Sequence, residues 1–183
     1  MNGHSHWALQ IAYHGGQFQG FQALPGQRTV QGTLEKALKK LLRQPCPLVA
    51  AGRTDAGVHA HGQLVSFHAS LPFSQQELAR LLPHFLPEDL ALKGVWPVPE
   101  SFHARFSARA RHYRYLLRLN QPPEPFSAPL CWQYPYPIRV ADLADAWMQC
   151  QGPFNFAPLA RHQANQKDTQ LRVYLSVLRP LGE

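Results

Sequence analysis

Apolar and polar positions alternate through Trp7, Leu9, Ile11 and Tyr13, a period of two that predicts a strand. His14-Gly15-Gly16 then turns the chain. From Thr29 the period changes. Val30, Leu34, Ala37, Leu38 and Leu41 recur at helical spacing, with Thr29 as N-cap and a stop before Pro45. Leu48–Ala51 reads as a short strand and Gly62–His68 as a longer one. Ser74 and Glu77 form a capping box that opens a helix carrying Leu78, Leu81 and Leu82, which Pro83 ends or kinks. Leu90–Val98 closes this half as a further strand.

The order strand-helix-strand-strand-helix-strand is that of a ferredoxin-like unit. The second half starts in the same way. Arg111–Leu119 has strand alternation, Val140–Cys150 places Leu143, Ala144 and Trp147 on one helical face, and Leu171–Leu178 reads as a strand. The expected fold is α+β, with two ferredoxin-like α/β units and largely antiparallel sheets. Residues 1–104 form the first unit and 105–183 an incomplete second one.

Composition narrows the class. The chain has 183 residues, a hydrophobic content of 45% and a net charge of +7, with 18 Lys+Arg against 11 acids. That balance favours a polyanionic partner. Cys46, Cys131 and Cys150 are odd in number and far apart, so neither a disulfide framework nor a zinc ribbon is indicated. Reduced thiols point to a cytoplasmic protein. No apolar run is long enough for a membrane span, and Met1–His6 lacks a signal-peptide core. Prolines 122, 123, 125 and 129 mark a connector inside the second half.

Two stretches carry candidate chemistry. In Gly52-Arg-Thr-Asp-Ala-Gly57 one carboxylate, Asp55, stands between two glycines and two residues from Arg53. Small residues permit a tight turn and close ligand approach. A guanidinium beside the acid would keep it ionised, as a carboxylate nucleophile requires. The same residues also fit a plain glycine turn with a surface Arg–Asp pair. The second stretch interleaves Arg105, Arg109, Arg111, Arg114 and Arg118 with Phe102, Phe106, Tyr113 and Tyr115. Guanidinium groups bind phosphates and aromatic faces stack on bases, which suits a nucleic acid. An amphipathic strand with a solvated basic face has this pattern too. His59 and His61 alternate like ligands of some metal hydrolases, with His68, His103 or Asp55 to complete a set, but no spacing enforces it. Phosphate-binding glycine loops and nucleophile elbows are absent.

Together these segments resemble the tRNA pseudouridine synthase A family. Gly52-Arg-Thr-Asp-Ala-Gly-Val-His-Ala60 is similar to the family signature. Tyr13-His-Gly-Gly-Gln-Phe-Gln-Gly-Phe-Gln22 is similar to its opening segment, with His14 where aspartate is usual and Phe21 where tryptophan is usual. Thr29–Leu38, Leu86-Pro-Glu-Asp89, Phe102–Ala108 and Arg111-His-Tyr-Arg-Tyr115 resemble further landmarks, and the likeness runs over residues 7–178.

The resemblance implies isomerisation of uridine to pseudouridine at positions 38 to 40 of the tRNA anticodon stem-loop, in a central RNA-binding cleft, by a homodimer without cofactor or metal. It makes Asp55 the catalytic aspartate. Arg53 would help present the flipped nucleotide and Tyr113 would contact the target uridine, with Arg105, Arg109, Arg111 and Arg114 on the RNA. It also implies a continuation past Glu183 that carries a strand, a helix, a phenylalanine and a basic residue near the aspartate. Asn155 stands where aspartate is common. A tRNA-binding remnant with impaired catalysis is the alternative reading.

Overall fold

The computed structural model describes residues 5–159, 170–174 and 177–178. The chain divides into two compact units, Met1–Tyr113 and Arg114–Glu183, so the basic segment 105–113 goes with the first.

The first unit follows the hydrophobic pattern closely. Strand β1 (His6–Tyr13), helix α1 (Val30–Leu42), β2 (Val49–Ala50), β3 (Ala60–His68), α2 (Gln75–Leu81) and β4 (Leu90–Pro97) occur in that order. The strands form one sheet in the order β2-β3-β1-β4, and every pairing is antiparallel. Trp7 faces Phe67 and Leu9 faces Val65 across the β1–β3 ladder, while Val95 flanks Leu9 from β4. These side chains share one sheet face because strand side chains alternate. They meet Leu34 and Leu38 of α1 and Leu78 of α2 in a single buried core. Burying each Leu or Ile side chain there contributes about 1.5–3 kcal/mol.

Helix starts are fixed by their caps. The Thr29 hydroxyl accepts from Gly32 N–H at 3.3 Å. Ser74 and Glu77 make the expected reciprocal box, in which Ser74 Oγ accepts from Glu77 N–H and Glu77 Oε2 accepts from Ser74 N–H. At its C-terminus α1 ends on Arg43 in the left-handed conformation (φ 57°), before Pro45. Pro83 follows α2 inside a 3-10 turn, Leu82–Phe85.

The second unit differs from expectation. The strand predicted over Arg111–Leu119 contracts to β5 (Leu117–Arg118), which pairs in parallel with β6 (Trp132–Gln133). The prolines at 122, 123, 125 and 129 lack the N–H groups that a longer ladder needs. Helix α3 covers Val140–Met148, and none of its residues is buried. Strand β7 (Gly152–Asn155) pairs antiparallel with β8 (Gln170–Val173). The strand predicted over Leu171–Leu178 thus shifts to β8, and part of that stretch lies outside the described residues. Every buried side chain among the described residues falls between His6 and Ala104. In the second unit Trp132, Tyr134 and Tyr136 stack edge to face in a row, and Phe126 is 91% exposed. Among the described residues no helix is long and apolar enough to cross a membrane.

Candidate active site

The Asp55 loop joins β2 to β3, and backbone contacts from two directions hold it. From the β3 side, Ala51 N–H donates to Leu64 O at 2.8 Å and Gln63 Nε2 donates to Gly52 O at 2.7 Å. From the opening segment, Phe21 N–H donates to Thr54 O at 2.9 Å and Gly57 N–H to Phe18 O at 3.3 Å. Gly15 N–H donates to His59 Nδ1 at 3.2 Å, just past the loop. Within the loop, Val58 N–H reaches Asp55 O at 3.2 Å, and Gly57 takes φ 80°, a conformation that favours glycine.

Tyr13 supplies the side-chain anchor. Its hydroxyl lies 2.8 Å from Thr54 Oγ1, one residue before the acid. Burial pushes the Tyr13 phenol up, against hydrogen bonds from Thr54 and Gln63, so it stays neutral. The glycines explain how the two loops come this close. A Cβ on Gly15 would sit 2.1 Å from Val58 O, and one on Gly20 would sit 3.0 Å from Thr54 O.

Arg28 locks the opening segment from outside. Its guanidinium makes a two-pronged pair with Asp89, both contacts at 2.7 Å, and lies 4.1 Å from the Phe18 ring centre. The Arg28 hydrogen bond holds the Asp89 carboxyl below its usual value. His14 N–H donates to Asp89 O at 3.0 Å, which ties the segment to the start of β4.

The result is an exposed Asp55 side chain on a fixed backbone. The Arg53–Asp55 ion pair expected from their spacing does not form. Among the described residues the ion pairs are Arg28–Asp89, His68–Glu100 and Arg139–Asp142, and both Arg53 and Asp55 are exposed. Arg111 comes to the loop instead. Its Nη2 donates to Ala51 O at 2.6 Å, and its Nε would lie 3.2 Å from a Cβ on Gly52.

Two residues on, Tyr113 is 66% exposed at the end of the first unit. Arg105, Arg109 and Arg114 are exposed as well, and Arg105 lies over the Phe106 ring at 5.7 Å. Residues 111–116 carry no regular strand, so strand alternation does not sort Tyr113 and Arg114 onto opposite faces. His59 is engaged by Gly15 and packs edge-on against His14 at 4.3 Å. Among the described residues the single cluster able to hold a metal does not include it or His61.

Tyr13, Thr54, Gln63 and Arg28 carry this site, yet these side-chain hydrogen bonds bridge 11 to 61 positions of sequence. The available signal was the crowding of glycines in 15–20 and again in 52–57.

A family model described as tRNA pseudouridine synthase matches residues 10–107, which include the end of β1 together with α1, the Asp55 loop, β3, α2 and β4. The chain is 37% identical to tRNA pseudouridine synthase A of Geobacillus sp. (strain WCH70) over 165 residues, 90% of this chain and 66% of that protein. It is 37% identical to the Gloeobacter violaceus protein of the same name, across 96% of this chain and 58% of the relative. Its identity to the Dictyoglomus thermophilum protein of that name reaches 44%, across 72% of this chain and 55% of the relative. The chain therefore spans somewhat over half the length of the curated relatives it matches. Over that span its segments align with theirs, and the chain belongs to the tRNA pseudouridine synthase family.

Proposed function

We propose that this protein isomerises uridine to pseudouridine in the anticodon stem-loop of tRNA, positions 38 to 40, with Asp55 as the catalytic carboxylate. The observation that carries this reading is an exposed acid on a loop whose backbone is held from both sides. Preorganisation of this kind is what a reacting group needs. The reaction breaks the N1–C1′ bond and makes a C5–C1′ bond. A carboxylate serves it by adding to the uracil ring or to C1′, or by taking a proton. The uridine must first leave its stack, which costs a few kcal/mol. Arg53 on this loop and Tyr113, two residues past Arg111, are both exposed and hold the extruded nucleotide in our reading. Arg105, Arg109 and Arg114 meet flanking phosphates. Arg111 adds its charge there while bracing Ala51.

We read the first unit as ferredoxin-like from its element order and β2-β3-β1-β4 sheet. The second unit is read as a partial copy, and the protein as a cytoplasmic homodimer acting without a cofactor. The second reading is a tRNA-binding remnant with impaired catalysis. It is favoured by the lack of buried side chains among the described residues past Ala104 and of an ion pair at Asp55.

Tritium release from tRNA transcripts carrying 5-tritiated uridine decides between them. The leading reading expects turnover by the wild type, none by Asp55→Asn, and equal tRNA affinity for both. Binding without turnover by the wild type selects the remnant, and turnover by Asp55→Asn removes Asp55 from the chemistry.

A further inference from the structure

We propose that His6, His68 and Glu100 form a binding site for one divalent transition-metal ion of the zinc class, at the end of the sheet away from the Asp55 loop. His6 opens β1, and Tyr13, which touches Thr54, closes it. Seven strand steps separate them, about 23 Å at the rise of an extended chain. The site is therefore distinct from the candidate active site.

The ladder register creates the cluster. His6 is directly opposite His68 in the β1–β3 pairing. Both side chains emerge on the sheet face opposite Trp7 and Phe67. Glu100 follows β4, which flanks β1 on its other side. One ring nitrogen from each histidine and one carboxylate oxygen of Glu100 lie within 4.8 Å of one another.

The surroundings prepare two of the three donors. His6 is 3% exposed, and its Nδ1 lies 3.1 Å from Pro99 O. A carbonyl only accepts, so Nδ1 carries the proton and Nε2 keeps its lone pair. An imidazole whose other nitrogen donates to a carbonyl is the usual state of a metal-bound histidine. Ser5 Oγ donates to Glu100 Oε1, which leaves Oε2 toward His68 Nδ1 at 3.5 Å. Phe102 closes the apolar side with its ring 6.1 Å from His6.

Two imidazoles and one carboxylate suit zinc, cobalt or nickel, and leave a coordination position for water. Magnesium and calcium prefer sites built from oxygen alone. The His6 and His68 rings now stack at 3.9 Å, so His68 must turn to aim its lone pair at the ion. Its side chain is 61% exposed, which makes that rotation cheap. A bound ion would join β1, β3 and the segment after β4, stabilising the folded state by mass action.

The test is calorimetric titration of the full chain, without a polyhistidine tag, with Zn(II) at pH 7.5. Co(II) is titrated in parallel and followed by its visible absorption. We expect one ion per chain and a melting temperature that rises with Zn(II). Removal of either exposed ligand, by His68→Ala or Glu100→Gln, should weaken binding at least tenfold. The exposed His84→Ala, at a histidine outside the cluster, should bind like the wild type. His6→Ala is avoided as a sole test because His6 is buried. The proposal is overturned by the absence of a saturable ion, by undiminished binding in either ligand variant, or by equal loss in His84→Ala.

Discussion

Replacing Gly15 by alanine tests whether contact between the opening segment and the Asp55 loop is what fixes the candidate active site. The added Cβ would lie 2.1 Å from Val58 O, 2.5 Å from Val58 C and 2.8 Å from Gly57 C. Ordinary van der Waals contact begins near 3.4 Å, so the nearest approach is short by about 1.3 Å. The atoms met are backbone and cannot swing away as a side-chain tip can. The two loops must part by roughly an ångström, which lengthens Gly15 N–H to His59 and Gly57 N–H to Phe18 O. Overpacking of this kind costs about 1–3 kcal/mol. A displacement of about 1 Å at a reacting group costs about 100-fold in rate. Gly15→Ala should therefore keep its fold with a lower melting temperature and lose about 100-fold in kcat. Gly16→Ala is the matched control. Its Cβ would meet the His14 ring at 2.9 Å, a side-chain contact rather than a backbone one, so its loss of stability and turnover should be smaller than that of Gly15→Ala. Circular-dichroism melts and tritium release measure both. Equal stability and turnover in Gly15→Ala would refute the argument that this backbone contact positions Asp55.

Tyr13→Phe deletes the hydroxyl that faces Thr54 and should cost about 1 kcal/mol in urea denaturation, with a fall in kcat and unchanged tRNA affinity. An unaltered midpoint and kcat would show that the backbone contacts suffice. The Arg28–Asp89 pair gives a pH signature. Because the Asp89 carboxyl titrates below its unfolded value, its stabilisation is present above the ordinary carboxylate range and is lost as pH falls through the folded value. Denaturation of wild type and Asp89→Asn should differ at pH 7, begin to converge near the unfolded aspartate value of about 3.9, and meet only below the lower folded value. A gap independent of pH would contradict it.

The first unit was legible because each element carried redundant signals. Val30, Leu34 and Leu38 supplied a helical stripe, Thr29 and Ser74 supplied caps, and Pro45 and Pro83 supplied stops. The Asp55 loop was legible through its glycines, but its supports were not. Tyr13 read as one more apolar strand residue, and its partner Thr54 is brought to it by the path of the loop across 41 positions, which no local pattern encodes. Arg53 misled because proximity in sequence says nothing about where an exposed guanidinium turns. Arg111 read as a phosphate ligand, and its bond to Ala51 across 60 positions was invisible. The predicted strand at Arg111–Leu119 failed for another reason. Alternation describes two faces, whereas a strand also needs a partner backbone, and here Leu117–Arg118 alone finds one in regular pairing.

The confinement of buried side chains to His6–Ala104 also defines what unfolds as one piece. Heat-capacity change and denaturant sensitivity both scale with the apolar surface released on unfolding. Among the described residues the buried side chains all belong to the first unit, and the cooperative block they form spans about 100 residues, His6–Ala104. Its heat-capacity increment is then about 1.2–1.5 kcal/mol/K. Substitutions in α3 or the Trp132–Tyr136 row fall outside that block and leave global stability nearly untouched, whereas a single methyl added beside Val58 acts on all of it.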